Sequence, residues 1–316
     1  MGASKGPHCP PTVGGVPASP GAPRCSDGLP GSPDAAAAAA RTIAGGAALE
    51  SVAGRVAVIT GGASGIGRAL AERLARDSAK IVLADLDEPG LADVTATIRA
   101  AGGQAIAVST DVRDLAQVET LADRAFAAFG AVHILCNNAG VALWGGLESA
   151  THRDWQWVLG VNLWGVIHGV EAFVPRMIAQ REPGHVVNTA SMAGLVATRG
   201  LGVYNTSKYA VVGLSETLAK DLKPYGIGVS VLCPMGVATR IRESDRHRPP
   251  EFVNDAPSRA EPVELMGRTL PPETVAEMVV NAIRDNRLYV ITHDEGLDPL
   301  RRRFQRLEQD LLARKP

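Results

Sequence analysis

A short apolar run, Arg55-Val56-Ala57-Val58-Ile59-Thr60, passes directly into the turn Gly61-Gly62-Ala63-Ser64-Gly65-Ile66-Gly67 and then into a helical pattern from Arg68 to Asp77. No other stretch limits the possible folds so tightly. A run of this length with β-branched residues reads as a buried strand. Glycines let the backbone turn sharply and approach a bound group closely. A helix starting at that turn aims its unpaired N–H groups at the same point, where a phosphate charge is stabilised. Strand, glycine turn and helix together are the context of a dinucleotide site, so the turn reads as one that holds a pyrophosphate.

The next strand, Lys80 to Asp85, ends in an acidic residue 18 positions past Gly67. That is where a carboxylate accepts hydrogen bonds from an adenosine ribose and repels a 2′-phosphate. No arginine or lysine lies between Asp85 and Gly90, which favours NAD over NADP. The alternation then continues: a helix over Leu91–Ala101, a strand over Ala105–Val112 ending in Asp111-Val112, and an amphipathic helix over Leu115–Phe129. A strand over Val132–Cys136 is closed by Asn137-Asn138-Ala139-Gly140, and a long helix over Asp154–Gln180 carries Asn162 in its interior. A strand over His185–Ala190, a helix over Tyr204–Leu222 and a strand over Gly228–Cys233 follow. Repeated β-α units predict one Rossmann-type, doubly wound parallel α/β sheet of about seven strands, with helices on both faces. Ligands then belong at the strands' carboxyl ends. The polar clusters at Gly61–Gly67, Asp85, Asp111, Asn137–Gly140, Ser191 and Cys233–Thr239 all fall just past such an end.

Ser191, Tyr204 and Lys208 form a chemical set within one stretch. Tyr204 and Lys208, four apart, share a helix face, and Ser191 follows a strand. A neighbouring ammonium favours a phenolate, and such a tyrosine can take or give the proton that interconverts an alcohol and a carbonyl. Composition adds exclusions. The 316-residue chain has a net charge of −1, which gives no basic surface for nucleic acid. Its four cysteines show no metal-type spacing, and two, Cys136 and Cys233, fall in strand-like runs as buried thiols. His168 and His185 likewise read as structural, so no metal is expected. No apolar run is expected to span a bilayer, and the cysteine pattern fits the cytoplasm. Residues 1–50, rich in Pro, Gly and Ala, read as a disordered tail; a transit peptide and an upstream-called start are the alternatives.

Taken together, these residues resemble the short-chain dehydrogenase/reductase family. Thr60-Gly61 with Gly65-Ile66-Gly67 matches its cofactor turn, Asn137-Asn138-Ala139-Gly140 its fourth-strand motif, and Asn162, Ser191, Tyr204 and Lys208 its catalytic tetrad. The resemblance covers about residues 52–240. It implies hydride transfer between NAD and a substrate carbon. Tyr204 would be the general base or acid, Lys208 would lower its pKa and bind the nicotinamide ribose, and Ser191 would hold the substrate oxygen. Asn162 would support a water path from the lysine. By the same carry-over Ser64 belongs to the cofactor turn, Asp111 and Val112 touch the adenine, Asn138, Ala139 and Gly140 flank the cofactor ribose, and Pro234, Val237 and Thr239 hold the nicotinamide amide. Met235 departs from the family, which usually has glycine there; the side chain would reach the substrate mouth. The family commonly forms homodimers or homotetramers through the helix that carries the tyrosine.

The domain is expected over 51–296, with 240–270 as a substrate lid and 297–316 as a C-terminal helix. In the lid, Phe252, Val253, Leu265 and Met266 are the apolar candidates to face a ligand, and the charges read as solvated. The loop Val141–Leu147, with Trp144, and the stretch Leu195–Val203 would form the other walls. The substrate expected is an apolar cyclic, terpenoid or steroid-like secondary alcohol or ketone. The C-terminal helix shows a stripe of Leu300, Phe304, Leu307 and Leu311, read as packing within the chain. The alternatives are an NADPH-dependent ketone reductase and a nucleotide-sensing protein of this fold without turnover.

Overall fold

The computed structural model describes residues 49–255 and 267–313. All but the last two residues of the expected N-terminal tail, and the lid residues Leu265 and Met266, lie outside them. Seven parallel strands form one sheet in the order β3-β2-β1-β4-β5-β6-β7. These are β1 Val56–Thr60, β2 Lys80–Asp85, β3 Gln104–Ser109, β4 Ile134–Asn137, β5 Gly184–Thr189, β6 Ile227–Cys233 and β7 Tyr289–Ile291. From β1 the chain first winds one way to β3, then crosses back to β4 beside β1 and winds the other way. This reversal leaves a crevice between the ends of β1 and β4, the binding place in sheets of this kind.

Both faces of the sheet are covered, so its central strands are apolar on both sides. In β1, Ala57 and Ile59 pack against helices α1 (Gly65–Arg76) and α7 (Pro272–Arg284), beside Leu70, Leu74, Val279 and Ile283. Val56 and Val58 face the other side, with α3 (Leu115–Phe129) and α5 (Gly165–Ala179), through Val118, Leu121, Phe173 and Met177. Leu49 and Val52 are buried in the first of these clusters, so packing begins slightly before the expected start at residue 51. Helix α2 (Glu88–Ala100) lies between β2 and β3.

The helix expected over Asp154–Gln180 is not one regular helix. Helix α4 (His152–Leu159) begins with a reciprocal capping pair of Thr151 and Asp154, a device that satisfies two end N–H groups. It then widens into a π turn over Gly160–Trp164 before α5 starts. Such a turn holds one residue more than an α-helical path, and it commonly lies at a functional site. Here it carries Asn162. As one helical run, His152–Ala179 is long and apolar enough to cross a membrane by length and composition, contrary to the expectation that no run would be. Its apolar residues Ala172, Phe173, Val174 and Met177 are packed against the sheet.

Helix α6 (Gly202–Leu222) follows β5 and carries Tyr204 and Lys208. The last helix, α8 (Leu297–Leu312), corrects another expectation. It buries no residue, and its apolar stripe is turned away from the domain.

His185 is buried in β5, with its Nε2 2.8 Å from Ser230 Oγ, which itself donates to Arg287 O at 2.6 Å. Burial pushes its pKa from 6.5 down to about 3. The folded protein therefore holds this ring neutral, while the unfolded chain protonates it below about 6.5. Its contribution to stability is intact above that pH and falls as pH drops toward 3, by about 1.4 kcal/mol per pH unit. Denaturant unfolding of His185→Gln at pH 7, 6 and 5 should show a shallower loss with acidity than the parent. Equal slopes would mean that the ring is not held neutral.

Candidate active site

The crevice between β1 and β4 is closed at its base by side chains acting as backbone partners. Thr60 Oγ1 accepts from the N–H groups of Asn138 (2.9 Å) and Ala139 (3.1 Å), and Asn138 Nδ2 donates to Thr60 O at 3.0 Å. This draws the two strand ends together. The glycines of the turn are forced by that proximity. A Cβ on Gly61, whose φ is +67°, would lie 2.9 Å from Ala139 Cα, and one on Gly67 would lie 2.1 Å from Gly61 O. Ser64 precedes α1 without a side-chain cap, leaving the first N–H groups of the helix free to meet an anion. A diphosphate fits this cradle.

One cavity of about 440 Å³ runs along the carboxyl edge of the sheet. Sixteen of the expected site residues line it: Gly61, Ser64, Gly65, Ile66, Asp85, Asp111, Val112, Asn138, Ala139, Gly140, Ser191, Tyr204, Lys208, Pro234, Val237 and Thr239. Gly67 and Asn162 stand just behind its wall. At one end Asp85 accepts from three backbone N–H groups, those of Ala63 (3.0 Å), Leu86 (2.8 Å) and Asp87 (3.1 Å). Its carboxylate thus ties the glycine turn to β2. Asp111 is gripped by Arg113, whose Nη2 lies 2.6 Å from Oδ2. The absence of basic residues next to Asp85 in sequence does not hold in space. Arg240, Arg246 and His247 line the same cavity, and Arg240 lies 3.5 Å from Asp87.

At the other end stand the polar groups of β5 and α6. Ser191 Oγ accepts from Ala193 N (3.1 Å) and donates to Pro234 O (3.2 Å), which fixes the hydroxyl between two loops. Tyr204 lines the same end of the cavity, near enough for the serine hydroxyl to favour the phenolate. Lys208 lies one turn beyond, buried, with Nζ donating to Thr189 O at 2.9 Å and 5.6 Å from the centre of the Tyr204 ring. Burial pushes the lysine down to about 8. Burial also raises the Tyr204 phenol above its ordinary 10, with the Ser191 hydrogen bond acting the other way. The lowered tyrosine pKa expected from its neighbour is therefore not found, because desolvation outweighs the help the phenolate receives.

Asn162, on the π turn, clamps the Val141 backbone. It accepts from Val141 N at 2.8 Å and donates to Val141 O at 2.9 Å and to Ser207 Oγ at 3.1 Å. A Cβ on Gly140 would lie 3.5 Å from both Asn162 Oδ1 and Lys208 Nζ, so glycine keeps the space between them open. Met235 lines the cavity where a glycine was expected from the resemblance, and its backbone N–H donates to His293 Nδ1 at 3.4 Å.

The lid differs most from expectation. Arg248 is not solvated: it is buried against Asp154, stacks 4.8 Å above the Trp157 ring, and donates to Phe252 O at 2.9 Å. Asp154 also accepts from Thr151 and Asn254, so the buried pair is fully hydrogen-bonded, the condition for tolerating it. Phe252 packs beside Val141, Leu143, Trp157 and Val203 and not into the cavity, and Val253 is exposed. Trp144 lies under Arg242, 5.5 Å from its guanidinium carbon. The stretch Leu195–Val203 contributes no residue to the lining; Trp157, Val161 and Ile241 do. Sequence reasoning missed Arg113, Trp157, Arg248 and His293; the last three gain their roles from residues far away along the chain, whereas Arg113 grips Asp111 only two positions off. The capping pattern Thr151–Asp154 was readable, but not its second use as the seat of Arg248.

Comparison with known proteins bears on this geometry. The family model for short chain dehydrogenase matches residues 55–250. A C alpha-dehydrogenase of Sphingobium sp. is 37% identical over 257 residues, covering 79% of this chain and 84% of that protein. A 1-deoxy-11-beta-hydroxypentalenate dehydrogenase of Streptomyces avermitilis is 35% identical over 265 residues, covering 82% and 92%. Among solved structures, a short chain dehydrogenase/reductase from Burkholderia phymatum in complex with NAD superposes with a TM-score of 0.78 at 45% identity, covering 84% of this chain and 97% of that one. The chain belongs to the short-chain dehydrogenase/reductase family and is a nicotinamide-dependent oxidoreductase of the alcohol/ketone type.

Proposed function

We propose that the protein is an NAD-preferring dehydrogenase of a secondary alcohol on an apolar, cyclic skeleton, working through Ser191, Tyr204, Lys208 and Asn162. The observation that carries the reading is the sharing of one cavity: Asp85 and the glycine turn line one end, and Ser191, Tyr204 and Lys208 the other. The nicotinamide ring, when bound, supplies the hydride acceptor and, oxidised, a positive charge. The glycine turn and the start of α1 hold the diphosphate. Asp85 receives the adenosine ribose, and Pro234, Val237 and Thr239 meet the nicotinamide amide.

Ser191 orients the substrate oxygen toward Tyr204, which takes its proton during oxidation and returns it during reduction. Lys208 stands next to the phenol and stabilises its ionised form, opposing the burial that keeps it neutral. The opening at Gly140, between Asn162 and Lys208, suits a water that relays the proton outward. Val141, Trp157, Val161 and Met235 give an apolar bed for the substrate, and the hydroxypentalenate dehydrogenase in this chain's kinship acts, by its name, on a compound of comparable character. A second reading, NADP preference, draws on Arg240, Arg246 and His247 across the cavity from Asp85.

Three measurements test these assignments. Tyr204→Phe should lower turnover by about 10²–10⁴-fold while NAD binding, read by fluorescence titration, stays within a few-fold; retained turnover would remove Tyr204 from the mechanism. Because the phenol is held above its ordinary value, alcohol oxidation should rise with pH through the neutral and alkaline range, while ketone reduction should stay level and fall only as the pH reaches the phenol's own titration. A flat oxidation profile would place the proton acceptor elsewhere. Asp85→Asn should shift the NADP/NAD ratio of kcat/KM toward NADP by at least about tenfold, about 1.4 kcal/mol. A parent enzyme that already favours NADP would replace the first reading with the second.

A further inference from the structure

Helix α8 (Leu297–Leu312) follows the edge strand β7 and lies on the surface with no buried residue. Phe304, Leu307 and Leu311 are 56%, 53% and 71% exposed. Arg302, Arg306 and Gln309, themselves exposed, border an open groove against the segment Val196–Arg199, and Arg303 stacks over Tyr209 of α6, 5.4 Å from its ring centre. A helix that leaves such an apolar stripe to solvent is arranged for something outside the chain.

The spacing of the stripe is a heptad, with position a at Leu297, Phe304 and Leu311 and position d at Leu300 and Leu307. The flanking e positions are Arg301 and Glu308, and the g positions Arg303 and Asp310. Two such helices laid antiparallel across a twofold axis between Gln305 and Arg306 bring Phe304 opposite Leu307 and Leu300 opposite Leu311. In that arrangement e faces e and g faces g. Arg301 then meets Glu308, and Arg303 meets Asp310, each pair twice by symmetry. Within Leu297–Leu312 a parallel pair matches only Arg303 with Glu308. Among the described residues Glu308 and Asp310 form no ion pair within the chain. Both the apolar register and the charge register are thus self-complementary, the property an isologous contact requires.

We propose that α8 is a self-association element that pairs antiparallel with α8 of a second copy of this chain. Helix α8 lies beside the helix bearing Tyr204, with Arg303 over Tyr209, and contributes no residue to the catalytic cavity. The paired length is about 24 Å at 1.5 Å per residue, short of a standard interface. The contact is accordingly concentration-dependent, or one of two interfaces in a larger assembly.

The test uses the full chain and sedimentation velocity across a dilution series. Leu307→Glu should raise the dissociation constant of one assembly step by at least about tenfold, halving the mass at intermediate dilution with turnover per protomer unchanged. Glu308→Arg should do the same by placing like charges at e, and Arg301→Glu combined with Glu308→Arg should restore assembly. Failure of the double variant to restore it would overturn the antiparallel register. A mass unaffected by Leu307→Glu and Glu308→Arg would overturn the proposal. So would α8-dependent flotation with anionic phospholipid vesicles by a chain whose assembly is unchanged, since the stripe would then be a membrane contact.

Discussion

The meeting of β1 and β4 governs the rest of the molecule. Two parallel strands whose connections leave in opposite directions end side by side with unpaired backbone groups, and water or side chains must satisfy them. Here Thr60 and Asn138 do so, and the closeness they impose admits no side chain at Gly61 or Gly67. The shape of the phosphate cradle follows from a packing requirement at the strand ends.

Burial acts on the reacting groups in two opposed ways. It holds Lys208 down to about 8 and Tyr204 above its ordinary value, so both groups lean toward their uncharged forms. A site of that kind is poised to respond to a charge arriving inside it, since a low-dielectric surrounding strengthens every such interaction. The Asp154–Arg248 pair shows the contrary solution. There the charges stay ionic because each finds several partners, with Trp157 covering the guanidinium. The lid segment that carries Arg248 is thereby fastened to α4 and forms a fixed wall.

The sheet, the order of its elements and the positions of the polar clusters were readable because each depends on local pattern: an apolar run, a glycine turn, a helix period. Ser191, Tyr204 and Lys208 were readable for the same reason, lying within one strand–helix unit. What could not be read depends on encounters between distant segments. Arg248 and Asp154 are 94 positions apart, and nothing near either predicts the other. Arg240 lies far from Asp87 in the chain, so a local search around Asp85 found no cation. The direction of the Tyr204 shift was misjudged because spacing reveals a neighbouring charge but not the depth at which both are held. In α8 the stripe was visible, but the side it turns to solvent was not.

The π turn at Gly160–Trp164 has a consequence for how this chain can change by descent. Substitution on a helix alters one contact, but loss of a residue rotates everything beyond it by about 100°. Loss of one residue here would straighten the helix and swing Asn162 away from Val141 and Ser207, while α5 would keep its seat on the sheet only by unwinding elsewhere. The interval is therefore closed to insertions and deletions. The turn that holds Val141 thereby behaves as a spacer of fixed length.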